Sequence, residues 1–226
     1  MILSIIVLIV IVGSIRYLDP GIAIRVMRFL QSIHILHKNT EYVPDFLPYI
    51  VGIGTILIWA IYFYRLHRKK IGVKRQFLQL AGTPLPVANL LKTFLQFMFG
   101  RTNIRDWLIA GKPPVFNWFN KIGSGCFPSG HMTVFVAFGT AFLFYYPQYR
   151  RQVLIILVLL GAALIATDYH FLSDVIAGAY LGFITTYSLW YVFKKWRIWI
   201  WLAWRRTGMP AFKSILKTSV WIVSKQ

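Results

Sequence analysis

The chain has 226 residues, 58% hydrophobic and 17% aromatic, and its 25 Lys and Arg against 6 Asp and Glu leave a net charge of +19. Soluble domains carry about 45–50% apolar residues, so the composition excludes an ordinary water-soluble fold, and it equally excludes disorder, which needs low hydrophobicity. A single cysteine excludes an intramolecular disulfide framework and a cysteine-built metal site, and so basic yet apolar a chain (mean hydropathy +0.61) points to an anionic membrane surface rather than to nucleic acid.

A membrane-crossing helix needs about 20 mostly apolar residues. In chain order the sequence predicts spans at 2–18, 48–64, 84–100, 131–146, 153–169 and 172–193. The first ends near Arg16, whose long side chain can snorkel to the interface. No basic segment precedes its apolar run, so an uncleaved span is expected rather than a signal peptide. Residues 20–37 read as an amphipathic helix in the interface. The third span carries Lys92 and Gln96 and is the least apolar. The tail 194–226 interleaves Trp196, Trp199, Trp201 and Trp204 with Lys and Arg, the composition of a helix in the headgroup layer. The expected fold is an all-α integral membrane protein of six transmembrane helices with interfacial amphipathic segments. It forms one membrane domain over 1–226, with a catalytic core at 84–193 and a basic aromatic tail at 194–226.

Charge sets the expected orientation, because Lys and Arg concentrate in cytoplasmic loops. With the N-terminus inside, the segment 65–75, the turn at Arg150 and Arg151, and the tail place sixteen of the 25 basic residues in the cytoplasm. Six spans return the C-terminus to the same side, where the basic segments meet anionic headgroups. His34, His37 and His67 have no spacing that suggests a metal set.

Three polar islands interrupt the apolar pattern, at 99–107, 125–133 and 167–175, and this topology puts all three at the outer face. His170 and Asp174 stand four residues apart, so at a helix start they share one face. A carboxylate there can hold one imidazole nitrogen and leave the other nucleophilic. Ser129 has helix-capping chemistry, Gly130 lets backbone approach closely, and free N–H groups at a helix N-terminus attract phosphate. His131 at that position can donate a proton to a leaving oxygen. Arg101 can grip phosphate oxygens bidentately. Each feature alone has a simpler reading: interfacial polar residues, a helix cap, a snorkelling arginine. Together they make a part list for phosphoryl transfer through histidine, with no metal or other cofactor called for.

FPSGH at 127–131 and HFLSDVIAG at 170–178, separated by 38 residues, resemble the type-2 phosphatidic acid phosphatase superfamily, whose membrane members are six-helix lipid phosphatases and phosphotransferases. The resemblance covers roughly 84–193. It implies that His170 is the nucleophile, oriented by Asp174, that His131 protonates the leaving group, and that Ser129 and Gly130 bind phosphoryl oxygens. Two motif positions depart from the family. On the register of FGR at 99–101, Gln96 stands where the family has lysine, and Asn103 and Ile104 stand where it has Arg-Pro. Ala163 and Leu164 replace the Ser-Arg that usually precedes the nucleophile. Arg101 then becomes the main cation expected at the phosphate, with Arg105 and Lys121 as helpers and Lys92 one turn before Gln96.

The function expected is metal-independent dephosphorylation of a phosphorylated membrane lipid through a phosphohistidine at the outer face of the cell (inner) membrane, facing the periplasm or exterior. Undecaprenyl pyrophosphate, phosphatidate- or phosphatidylglycerophosphate-like lipids and lipid A phosphates are the candidates. A lipid phosphotransferase and a non-catalytic protein on the same fold are the alternatives. A transporter fits less well, since only Lys92 is charged mid-span. Nucleic acid is not an expected partner. Cys126 reads as a packing residue, and Gly178 and Gly182 with Ala137, Ala177 and Ala179 as small residues that let helices pack closely.

Overall fold

The computed structural model describes residues 2–33, 46–68, 73–119 and 125–207. Lys121, His34, His37 and the tail beyond 207 lie outside these residues. The described chain is helical, with one isolated bridge between Arg101 and Phe116. In order, the helices are α1 (Ile2–Gly13), α2 (Asp19–Ser32), α3 (Leu47–His67), α4 (Val73–Gly82), α5 (Pro84–Phe99), α6 (Ile104–Leu108), α7 (Gly130–Tyr145), α8 (Arg150–Ala166) and α9 (Leu172–Thr207).

The expected break between a first span and an interfacial helix is absent. A π-helical turn, Ser14–Leu18, carries α1 into α2 and makes one apolar helical segment of 31 residues. Pro20 stands at the start of α2, directly after the π turn that the Asp19 N–H closes on the Ser14 carbonyl, and the helix runs on through it. The extra residue of a π turn rotates the next turns of helix about the axis, and Asp19, expected to lie outside in an exposed segment, is buried.

Four helical segments among the described residues are long and apolar enough to cross a membrane: Ile2–Ser32, Tyr49–His67, Pro147–Ala166 and Leu172–Trp196. The expected third and fourth spans correspond to α5 and α7, of 16 residues each. At a 1.5 Å rise such helices reach about 24 Å, short of a hydrocarbon core of about 30 Å. Helix α9 is longer than expected. It continues past 193 to Thr207 as one helix of 36 residues, because neither glycine nor proline occurs between Gly182 and Gly208. Side chains such as Ile5, Ile9, Ile53, Leu57, Ile155 and Leu159 are exposed, an outer surface made for lipid rather than water.

Helices α7 and α9 form the centre of the bundle, and glycines bring them together. A Cβ on Gly178 would collide with the carbonyl oxygen of Ser129, and one on Gly182 with that of Thr133. Thr186 continues the seam, donating from Oγ1 to the Ala137 carbonyl at 3.0 Å. Met132, Val136, Leu164 and Val175 fill the core beside it, where α8 joins. Of the small residues read from the sequence as packing positions, Gly178, Gly182 and Ala137 lie where backbone meets backbone, while Ala177 and Ala179 pack against apolar side chains.

Gly182→Ala is expected to destabilise the fold by about 1–3 kcal/mol, the usual cost of overpacking, read as a lower melting temperature in detergent. Gly178→Ala is expected to lose activity as well, because the displaced carbonyl belongs to the residue capping α7.

Candidate active site

Four parts of the chain converge at one end of the α7–α9 seam. Helix α7 begins at Gly130, and Ser129 caps it by accepting from the Met132 N–H at 3.4 Å. The cap is itself anchored: the Ser129 N–H donates to the Asp174 carbonyl at 3.0 Å, and Gln96 Nε2 donates to the Pro128 carbonyl at 3.0 Å. A Cβ on Gly125 would lie 2.7 Å from the Gln96 carbonyl, so the approach to the cap is also pressed against α5. Gln96, at the position where the family has a lysine and among the residues expected at the phosphate, holds the capping loop through its amide.

His170 precedes α9 and is 5% exposed, while Asp174, one turn into the helix, is fully buried. The turn that delivers His170 closes on Leu164, whose carbonyl accepts from the N–H groups of Tyr169 and His170 at 3.0 and 3.1 Å. Leu164 stands where the family's arginine is missing, and here its main chain sets the histidine's position. His170 Nδ1 lies 3.6 Å from Asp174 Oδ2. That is beyond hydrogen-bond length, and Asp174 Oδ2 accepts instead from the Phe171 N–H at 3.0 Å. The rings of His131 and His170 are 6.3 Å apart, and Tyr169 packs edge-on against both. The pairing read from the sequence is therefore brought together: His170, Asp174, Ser129, Gly130 and His131 share one site.

The cations are arranged differently from expectation. Arg101 follows Gly100, which ends α5 in the left-handed conformation (φ 52°) that glycine adopts without strain. Its guanidinium is buried and engaged. Nη1 donates to Asp174 Oδ1 at 2.5 Å and to Ser173 Oγ at 2.6 Å, and Nη2 donates to Asp19 Oδ2 at 2.7 Å. The rings of Phe171 and Phe116 stand 4.0 and 5.1 Å from its central carbon. Arg105 lies farther out, donating to the Thr167 carbonyl at 3.3 Å and facing the Tyr169 ring. Lys92, buried in α5, comes closest to the start of α7: its Nζ is 3.2 Å from where a Gly130 Cβ would stand. No cluster of three or more His, Cys, Asp or Glu side chains occurs among the described residues.

The sequence reading missed Asp19 and Ser173. Asp19 accepts from the Ser173 N–H at 3.1 Å and from Ser173 Oγ at 2.5 Å, across 154 residues. A lone acid at the end of an apolar segment was the available signal, since ionisable groups at membrane depth are costly and usually functional. Asp168, also in the third island, is 1% exposed, neither of its oxygens has a hydrogen-bond partner, and its φ is +47°. Burial raises its proton affinity to about 7, with Arg105 opposing. Cys126 donates to the Thr102 carbonyl at 3.3 Å, and burial pushes its thiol well above the usual range, so packing rather than nucleophilic chemistry is its part.

Among the described residues, then, an apolar helical architecture of membrane type sets a histidine–aspartate pair against a capped helix start. Residues 81–198, just over half of the chain, match the PAP2 superfamily, and the protein belongs to that family of phosphatases acting on phosphorylated substrates. No curated protein and no solved structure matches the chain.

Arg101→Ala leaves two buried carboxylates facing each other without their cation. It is expected to cost about 3–5 kcal/mol, seen as a large drop in melting temperature. Asp168 carries a pH signature of opposite sense to an ordinary carboxylate. Its contribution to stability is intact below about pH 4 and is lost as pH rises through about 7, because ionisation in a buried, unpartnered place is unfavourable. Asp168→Asn is therefore expected to melt above the wild type at pH 8, with the difference shrinking as pH falls and closing only near about pH 4.

Proposed function

We propose that this protein removes the phosphoryl group from a phosphorylated membrane lipid by way of a phosphohistidine at His170. The observation that carries this reading is the convergence of His170 and Asp174 with the capped start of α7 at Ser129, Gly130 and His131. Nδ1 of His170 faces Asp174, which leaves Nε2 to attack phosphorus. The bond from phosphorus to the leaving oxygen breaks as the Nε2–P bond forms, and His131 gives that oxygen a proton. Neutral His131 then takes a proton from water, whose oxygen attacks phosphorus and releases phosphate and His170. Asp174, 3.6 Å from Nδ1, stands as the counter-charge on that side of the ring. Charge developing on the phosphoryl oxygens meets the N–H groups at the start of α7 and the ammonium of Lys92. Arg101, given to Asp19 and Asp174, positions the carboxylate, and Arg105, held farther out, serves around the site rather than at the phosphorus.

In this reading the chain is one membrane domain whose short α5 and α7 complete a six-helix bundle. Its termini are cytoplasmic, its basic segments lie on anionic headgroups, and its site opens to the outer face of the cell membrane. The candidates for substrate are undecaprenyl pyrophosphate, phosphatidate- or phosphatidylglycerophosphate-like lipids and lipid A phosphates. A lipid phosphotransferase is the second reading, favoured by Gln96 and Leu164, which occupy two positions where the family has cations. Adding an acceptor lipid and analysing the products separates the two.

Purified protein in detergent is expected to release phosphate from at least one of these lipids with EDTA present. His170→Ala and His131→Ala are expected to lose at least a thousandfold in turnover. Acid-labile, base-stable label on the wild-type chain after a quench from radiolabelled substrate would mark the intermediate, and near-normal turnover by His170→Ala would sink the proposal.

A further inference from the structure

Asp19 lies outside the matched segment 81–198, yet it reaches the catalytic carboxylate through a single side chain. Arg101 joins the two acids, and the Ser173 hydroxyl accepts from Arg101 and donates to Asp19. Three buried charges, two negative and one positive, thus leave one net negative charge beside His170. The geometry fixes what each contact does. Asp19 holds one side of the guanidinium and the first free N–H of α9, so Arg101 cannot turn wholly toward Asp174. With Asp19 neutral, Arg101 would attend Asp174 alone, and the carboxylate facing His170 Nδ1 would lose its effective charge.

We propose that Asp19 is a positioning residue for the His170–Asp174 pair, acting through Arg101 and Ser173 to keep His170 basic enough to attack phosphorus. This rests on the phosphohistidine reading and adds the α1–α2 helix to the machinery of the site. The π turn at Ser14–Leu18 is the local device that turns Asp19 inward. A mere tether between the first helix and α9 would use the same contacts, but it would not set the proton affinity of a histidine it never touches.

That difference provides the test. The other titratable and charged groups around His170 are Asp174 on α9, Arg101 and Arg105 from the α5–α6 region, Lys92 on α5, His131 on α7, Cys126 ahead of it, and Asp168 and Tyr169 in the α8–α9 turn. All are common to the variants compared. The His170 ring signal of the full-length protein in detergent micelles, assigned among five histidines by its absence from His170→Ala, is titrated by NMR. Asp19→Asn is expected to lower the His170 midpoint by at least half a pH unit, and Asp19→Glu to restore it. With dioctanoyl phosphatidate as probe, Asp19→Asn is expected to lower kcat at least tenfold with KM within threefold. The acid limb of its kcat/KM profile should move to lower pH. An unshifted His170 midpoint in correctly folded Asp19→Asn overturns the proposal. If Asp19→Asn aggregates on size-exclusion, Asp19→Ser, which also removes the charge and leaves a small hydroxyl beside Ser173, takes its place. It is expected to shift the midpoint the same way, and an unshifted midpoint there overturns the proposal equally. Turnover retained by His170→Ala would instead overturn the phosphohistidine reading, an outcome separate from the titration.

Discussion

The close approach of α7 to α9 is the constraint on which the site depends. Gly178 and Gly182 put the backbone of one helix against the carbonyls of Ser129 and Thr133 on the other. Helices in lipid gain little from the hydrophobic effect and associate through packing and hydrogen bonds, so the absence of two Cβ atoms matters more than any apolar side chain there. The seam begins at the functional end. The residue that caps α7 donates its N–H to the residue that supplies the carboxylate of α9. Distance between the two histidines is therefore set by helix contact, not by the loops.

Around that seam the charges are placed by necessity. A guanidinium buried among Phe116, Phe127 and Phe171 needs counter-charge, and a buried ion pair holds only when its remaining donors and acceptors are met. Asp174 meets one side and Asp19 the other, with Ser173 between. The arrangement commits Arg101 to the two carboxylates and leaves the start of α7, with Lys92 beside it, as the positive region near His131.

Much of this was legible in the sequence. His170 and Asp174 at a spacing of four, and Ser129 ahead of an apolar run, are local patterns, and local patterns survive folding because helix geometry is the same everywhere. The small residues of α9 were legible for the same reason. Contacts between distant segments were not. Asp19 is 154 residues from Ser173, and nothing near it in sequence announces a partner. Gln96 and Leu164 stand at motif positions where the family has cations, and here one anchors a loop through its amide and the other a turn through its carbonyl. Backbone roles of that kind leave no trace in residue type. The π turn was equally hidden, since Asp19-Pro20 reads as a stop and becomes a continuation only when one extra residue is wound into the helix.

Helix α9 carries Asp174 in its first turn and runs 36 residues without a break. At 1.5 Å per residue it is a rod of about 54 Å, well beyond the thickness of a hydrocarbon core. No glycine or proline after Gly182 gives it a hinge. Whatever grips the basic, tryptophan-rich end therefore holds the same rigid body that carries Asp174. The two ends of the helix therefore share one axis, and the glycine seam with α7 fixes where that axis lies beside His131.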